Sequence, residues 1–349
     1  MNLKRSHILF LVCCAAAGLG GCSDRQESPA PQDKIPVRFG VSSLESRSNA
    51  VLTADAIHSM GVFGYSTGTS NFNPSVSTFT PNLIYNQEAS REIVANGPGE
   101  WEYTPPAYWP LDLSVKNSFF AYSPHSSHFA ESANVIVSGR TASGYPTLTY
   151  TLPTDITEQE DILYAAPVLD INRESNGGKV LYEMKHALSW LAFVVTPTMY
   201  NDPNEEYTVN RLIFMADELP MTATLNLGTG QWSNARSEEK VVFEFELDKA
   251  EATDIKPGEV ARIVDPNSRL MLLPITIDSE LSGATVDLTF MFNGEEYYYY
   301  VPFPTTYMTA GNVVVYMINI SIDGIIVEFL EENKIEDWFP GGGKQIDIF

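Results

Sequence analysis

Cysteine is almost absent from this chain: there are three, Cys13, Cys14 and Cys22, all close to the N-terminus. No thiol lies beyond Cys22, so neither an internal disulfide nor a cysteine-based zinc centre can hold the body of the chain together. Its stability has to come from burial and backbone pairing. Positive charge is the second shortage. Lys and Arg number 21 against 44 Asp and Glu, a formal net charge of −23. That balance argues against nucleic acid as a partner, because affinity there is built on cationic contacts to phosphate. It argues equally against docking on anionic lipid surfaces, and it suits an exported protein that faces solvent. Helix signals are sparse: Thr53–His58 offers a turn or two and Glu331–Asp337 a weak candidate. By contrast, 18 Phe, 17 Tyr and a hydrophobic fraction of 44% are ample for real cores, and they separate the chain from disordered sequences.

The N-terminus has its own logic. Lys4 and Arg5 precede an apolar run from Ile8 to Leu19, and Leu19-Gly20-Gly21-Cys22 closes the segment. Charge, short apolar core and small residues are the layout of a secretory signal. The run is shorter than the about 20 residues that span a bilayer. The terminal cysteine resembles the lipobox of bacterial lipoproteins. That resemblance implies a signal peptide over 1–21, with Cys22 becoming the first mature residue and carrying a lipid of the palmitate class. The alternatives are an ordinary signal peptide with a chance cysteine and an N-terminal membrane helix. Residues 22–34, with Ser28, Pro29 and Pro31, read as a lipidated tether.

From Ile35 onward, short runs rich in Val, Ile, Phe, Tyr and Thr alternate with Gly, Pro, Asn and Ser clusters, the signature of strands. The clearest are Ile35–Val41, Met60–Tyr65, Ser118–Ser123, Thr147–Leu152, Asp161–Ala165, Lys179–Met184 and Ser189–Thr196. A second set runs through Tyr207–Met215, Met221–Leu227, Val241–Leu247, Arg269–Thr276, Ala284–Phe292, Glu296–Phe303, Val313–Ile320 and Ile325–Leu330. Ser66–Ser77, Asn86–Gly99 and Pro124–Gly144 read as long loops. Asn293-Gly294 between two alternating runs is a strong hairpin signal, and Gly228-Thr229-Gly230 a weaker one. The pattern predicts an all-β chain of β-sandwiches. At about 100–200 residues per domain the length fits two, and the polar stretch Pro197–Glu206 places the boundary: 35–200 and 201–349. Asn172–Gly178 is the alternative boundary.

Few motifs carry chemistry. Gly64-Tyr65-Ser66-Thr67-Gly68 matches a nucleophile elbow, which needs a helix directly after the serine; the sequence that follows is a loop. His125 and His128 share a loop, but no carboxylate or third histidine is near them in sequence to complete a metal site, and His186 reads as pairing within the fold. Glu158, Glu160 and Asp161 form an acidic cluster without the identifiable carboxylate pair of a glycosidase. Gly341-Gly342-Gly343-Lys344 lacks the Ser or Thr of a phosphate loop, having Gln345 instead. Tyr297–Tyr300 on a strand would place two tyrosines on each face, one pair for the core and the other a ledge for a sugar or a partner chain. No catalytic residue, metal or cofactor is assigned.

Five segments together resemble the fimbrillin family of Bacteroidetes, subunits of lipoprotein-derived surface pili. Trp101-Glu102-Tyr103 leads to Tyr108-Trp109-Pro110 and Phe119-Phe120-Ala121-Tyr122-Ser123-Pro124; then come Gln159 to Ala165, His186-Ala187-Leu188-Ser189, Leu270 to Pro274, and Ile335-Glu336-Asp337-Trp338. The resemblance implies two tandem transthyretin-like β-sandwich domains, export to the outer membrane as a lipoprotein, and a place in a cell-surface fimbria. It also implies cleavage after an arginine by a surface protease, loss of the first strand, and entry of a strand from a neighbouring subunit. Arg47 and Ser48, just after the first candidate strand, fit the bond; Arg25 lies in the tether. Ile346, Ile348 and Phe349 in the alternating C-terminal segment form a candidate donor strand, with pairing inside its own domain as the equal alternative. The expected partners are other fimbrial subunits, the protease and the outer membrane through Cys22. Two competing readings are a glycan-binding lipoprotein of a polysaccharide-uptake system, with Tyr297–Tyr300 or Trp232 as its platform, and a hydrolase built on Ser66 or the Glu158–Asp161 cluster.

Overall fold

The computed structural model describes residues 34–44, 54–94, 97–197, 207–217, 219–237, 240–246, 261–262, 270–277, 283–304, 306–321 and 324–329. The chain divides after Lys34 into two units, and every described strand belongs to the second. Its regular structure is β, with a few single-turn 3₁₀ helices, so the all-β expectation holds. The Thr53–His58 helix candidate is the 3₁₀ turn Ala54–Ala56, and Glu331–Asp337 falls outside the described residues.

The largest sheet has seven strands. Six run in the order Arg38–Leu44, Lys179–His186, Leu163–Ala165, Asn117–Ser123, Ser59–Ser66 and Ile84–Ser90, and Val168–Ile171 pairs alongside Asn117–Ser123. The first strand, Arg38–Leu44, lies at the sheet's end and is parallel to Lys179–His186, whereas the other pairs are antiparallel. Asn117–Ser123 and Ser59–Ser66 carry buried apolar residues on both faces because both faces are covered. On one side Phe63, Tyr65, Phe120 and Tyr122 join the core that includes Leu148, Tyr150, Ala223 and Leu225. Those last four come from a four-stranded sheet, ordered Trp232–Ser237, Pro220–Asn226, Thr147–Thr151, Ile136–Val137. On the other side Met60, Val62, Phe119 and Ala121 meet Val37, Phe39, Tyr182 and the loop residues Trp101, Tyr103 and Trp109. Gly61 is required by this packing: a Cβ there would lie 2.3 Å from the Tyr122 ring.

The remaining large sheets come from later sequence. Ser189–Pro197, buried at every position, runs parallel to Val313–Ser321 in a five-stranded sheet with Ala261–Arg262, Leu270–Leu272 and Gly324–Phe329. A four-stranded sheet is ordered Val241–Glu246, Tyr207–Ala216, Thr285–Phe292, Glu295–Pro302. Its last two strands are joined at Asn293-Gly294, with φ of 50° and 81°, the left-handed pair that a two-residue hairpin turn requires.

One expectation changes. Asn86–Gly99 is not a loop throughout: Ile84–Ser90 is the sheet's other end strand, polar because an edge strand has one bonded side. Pairing also crosses a cut at 200/201. Ser189–Pro197 pairs with strands of the later sequence, and Pro220–Ser237 returns to pair with Thr147–Thr151. In both places a hairpin or strand completes a sheet begun far away in sequence, which local composition does not encode.

Candidate strand-exchange site

The first strand is built to dock on one face. In Val37-Arg38-Phe39-Gly40-Val41 the odd positions are apolar, and strand alternation sends them to the same side. Val37 and Phe39 are each 1% exposed, whereas Arg38 is exposed. The Phe39 ring centroid is 5.0 Å from Tyr103, 6.0 Å from Tyr182 in a stacked arrangement, and 6.4 Å from Phe119. One backbone edge pairs in parallel with Lys179 to Met184, the register shifting by one residue at Ser42. On the other, the Val37 N–H donates to the Ala107 carbonyl at 2.9 Å, and the Trp109 N–H donates to the Ile35 carbonyl at 2.9 Å. The Tyr103 hydroxyl donates to the Val37 carbonyl at 2.7 Å, and the Ser42 hydroxyl to the Tyr182 carbonyl at 3.1 Å.

The pocket floor is buried. Burial pushes the Tyr103 phenol up to about 12 and the Tyr182 phenol well above its ordinary value. The Tyr182 hydroxyl is buried without a hydrogen-bond partner while the first strand covers it, a cost of about 1–3 kcal/mol. Without the first strand, the Lys179–His186 backbone would present an unpaired edge beside an apolar groove, an arrangement that recruits another strand.

Beyond the strand, the chain re-enters at Ala54–Ala56, which Arg91 holds in place. Its Nε donates to the Ile57 carbonyl at 2.7 Å and its Nη2 to the Ala54 carbonyl at 2.6 Å, with the guanidinium 4.7 Å from the Trp101 ring centre. The downstream side of the segment between Leu44 and Ala54 is thus held by Arg91, and Ala54–Ala56 also lies against the first strand. Arg47 and Ser48, inside that segment, lie outside the described residues, as do Cys22, Ile346, Ile348 and Phe349.

The other sequence candidates separate. Ser66 ends its strand with its N–H donating to Asn82 Oδ1 at 2.8 Å, and a turn follows in place of a helix, so no nucleophile elbow forms. The acidic cluster splits three ways: Glu158 accepts from Ser132 at 2.6 Å, burial raises the Glu160 pKa, and Asp161 pairs with buried His186 at 2.7 Å. Trp232 is half-buried and donates to the Ala187 carbonyl at 2.8 Å, so it is not an open platform. The histidine loop has partners that sequence proximity hides. Glu88 lies 2.5 Å from His128 and 3.6 Å from His125, and the His58 ring is 5.9 Å from that of His128. Of these, His128 bonds to Glu88, while His125 bonds to Ser127 and the Asn86 carbonyl; among the described residues no three His, Cys, Asp or Glu are placed to hold a metal ion.

The chain is thus an all-β protein whose N-terminal edge strand packs into an apolar groove. The chain belongs to the fimbrillin-like family, whose model matches residues 48–338. It is 28% identical over 194 residues to fimbrium subunit Fim1C of Phocaeicola vulgatus; the match covers 52% of this chain and 49% of that relative, about half its length. Among solved structures, a fimbrial protein from Bacteroides vulgatus shares the fold with a TM-score of 0.63 at 17% identity, over 84% of this chain and 98% of that one. A putative cell adhesion protein from Bacteroides ovatus gives 0.52 at 14% identity, over 86% and 97%.

Proposed function

We propose that this chain is a structural subunit of a cell-surface fimbria, is not an enzyme, and assembles by exchanging its first strand. Export as a lipoprotein through Cys22 places it at the outer membrane. An arginine-specific surface protease cuts between Arg47 and Ser48, three residues past the end of the Arg38–Leu44 strand. The strand leaves, and a strand from a neighbouring subunit takes its place beside Lys179–His186. The C-terminal segment with Ile346, Ile348 and Phe349 is the proposed donor, its Ile-Asp-Ile alternation matching the in-out-in pattern of Val37-Arg38-Phe39. Within 35–349 we propose two sandwich units, the first completed by the hairpin spanning 220–237.

The observation that carries this reading is the first strand itself: an edge strand with two buried anchors, joined to the rest of the chain through the arginine-bearing segment. The test is digestion of the purified precursor with an arginine-specific protease, followed by mass spectrometry and gel analysis in cold detergent. The reading expects early cleavage at Arg47 and a ladder of oligomers, both abolished by Arg47→Ala. Cleavage elsewhere with persistent monomer would sink it.

A further inference from the structure

The hairpin 285–302 presents a second surface that strand exchange does not use. The Glu295–Pro302 strand ends its sheet and alternates between exposed and half-buried side chains. Tyr297 and Tyr299 face inward and stack on Phe290, with ring centres 5.5 and 6.1 Å away. Tyr298 and Tyr300 face outward, 58% and 68% exposed. Residues two apart on a strand are about 6.6–6.8 Å apart, so the two outward rings sit side by side along the strand.

Polar groups on the same face are placed by register. Tyr300 lies opposite Asp287, and Tyr298 opposite Thr289; Arg211 and Ile213 lie opposite Thr289 and Asp287 on the next strand, and Glu244 follows opposite Ile213. Asp287 is a recessed carboxylate, 9% exposed, that accepts from the Tyr298 hydroxyl at 2.7 Å and from the Thr285 hydroxyl at 3.3 Å. The first of these bonds fixes the tilt of an exposed ring that would otherwise rotate freely, and the bond with its attendant charge raises the Tyr298 pKa. Arg211 and Glu244 form an ion pair on the same face. Isolated exposed tyrosines are ordinary; two on one face, one of them pinned to a recessed carboxylate and with Arg211 two strands away on the same face, are not.

We propose that this face binds a neutral oligosaccharide. The tyrosine rings would receive the apolar faces of two sugar units, as amphipathic platforms with little rotamer entropy to lose. The carboxylates of Asp287 and Glu244 would accept hydroxyl protons, and Arg211 would donate to ring or hydroxyl oxygens. The electrostatics select against acidic sugars: a chain of charge −23 repels uronic, sulfated or sialylated glycans. The site would give the subunit an adhesive ligand class of its own, and it stands whether or not strand exchange does.

The test uses the full mature chain. Titration calorimetry is run against neutral hexasaccharides of glucose, mannose, xylose and N-acetylglucosamine, with heparin and polygalacturonate oligosaccharides as acidic probes. Binding of at least one neutral probe is expected, weakened about tenfold or more in Tyr298→Ala/Tyr300→Ala and several-fold in Asp287→Asn, while Tyr298→Phe/Tyr300→Phe retains most of it. Circular dichroism checks that each variant is folded. No binding to any neutral probe, preference for the acidic ones, or binding unchanged in the double alanine variant would each overturn the proposal. So would loss of subunit association in that variant without any sugar binding, which would make the face a protein contact.

Discussion

Replacing Phe39 by Ala should loosen the first strand far more than it harms the rest of the molecule. Phe39 is 1% exposed and packs against Tyr103, Tyr182 and Phe119. Truncating a buried Phe to Ala costs about 3–5 kcal/mol, part of it lost transfer energy and part the cavity left behind. At about 1.4 kcal/mol per factor of ten, strand release after cleavage should speed up by about a hundredfold or more. The assay is release of the N-terminal fragment from protease-nicked protein, followed by fluorescence of a dye placed on the tether. Arg38→Ala is the internal control: Arg38 is exposed on the opposite side of the strand, and surface changes are usually within about 0.5 kcal/mol. Equal release rates for wild type and F39A would refute the idea that Phe39 anchors the strand.

Three further outcomes follow from the fold. Gly61→Ala places a methyl against the Tyr122 ring and should cost about 1–3 kcal/mol by overpacking, read as a lower thermal midpoint by calorimetry; an unchanged midpoint would contradict the packing described. Gly294→Ala forces a side chain onto a φ of 81°, with an expected loss of roughly 1–2 kcal/mol in urea unfolding, which a Gly294→Asn variant should largely avoid. His125 is half-buried, and burial holds its pKa below the ordinary 6.5. The unfolded chain therefore takes up that proton first as pH falls, so this contribution to stability is complete above pH 6.5 and declines below it. His125→Gln should flatten the slope of thermal midpoint against pH between about 6.5 and 5; an identical slope would assign the pH dependence to other groups.

Much of the architecture was legible because it is local. Strand alternation marks Thr285–Phe292, and Asn293-Gly294 announces its hairpin before any contact is known. The apolar runs around Phe63 and Phe120 read as strands, yet the sequence does not tell which partners cover their two faces, since Tyr150 and Trp109 reach them from distant loops and strands. Ile84–Ser90 was hidden because Asn86, Gln87 and Glu88 suit an edge and mimic a loop. Trp232–Ser237 was hidden for the same reason, its residues being mostly polar. In the candidate site, the first strand was legible as the run Ile35–Val41, while its removal at the nearby Arg47 is implied only by the resemblance to fimbrillins. The groove's floor of Tyr103, Phe119 and Tyr182 is assembled from three separate stretches and was not readable. Glu88 beside His125 and His128 is the same kind of case: residues some forty positions apart meet only because two strands flank a third.

Hydrogen exchange at the amides of Lys179–Met184 tests the central claim most directly, because these residues pair with the first strand. Mass-spectrometric exchange should find them protected in the precursor, exposed after cleavage and departure of the N-terminal fragment, and protected again in the assembled oligomer. Protection that persists through cleavage and loss of the fragment, or fails to return on assembly, would contradict strand exchange at this edge.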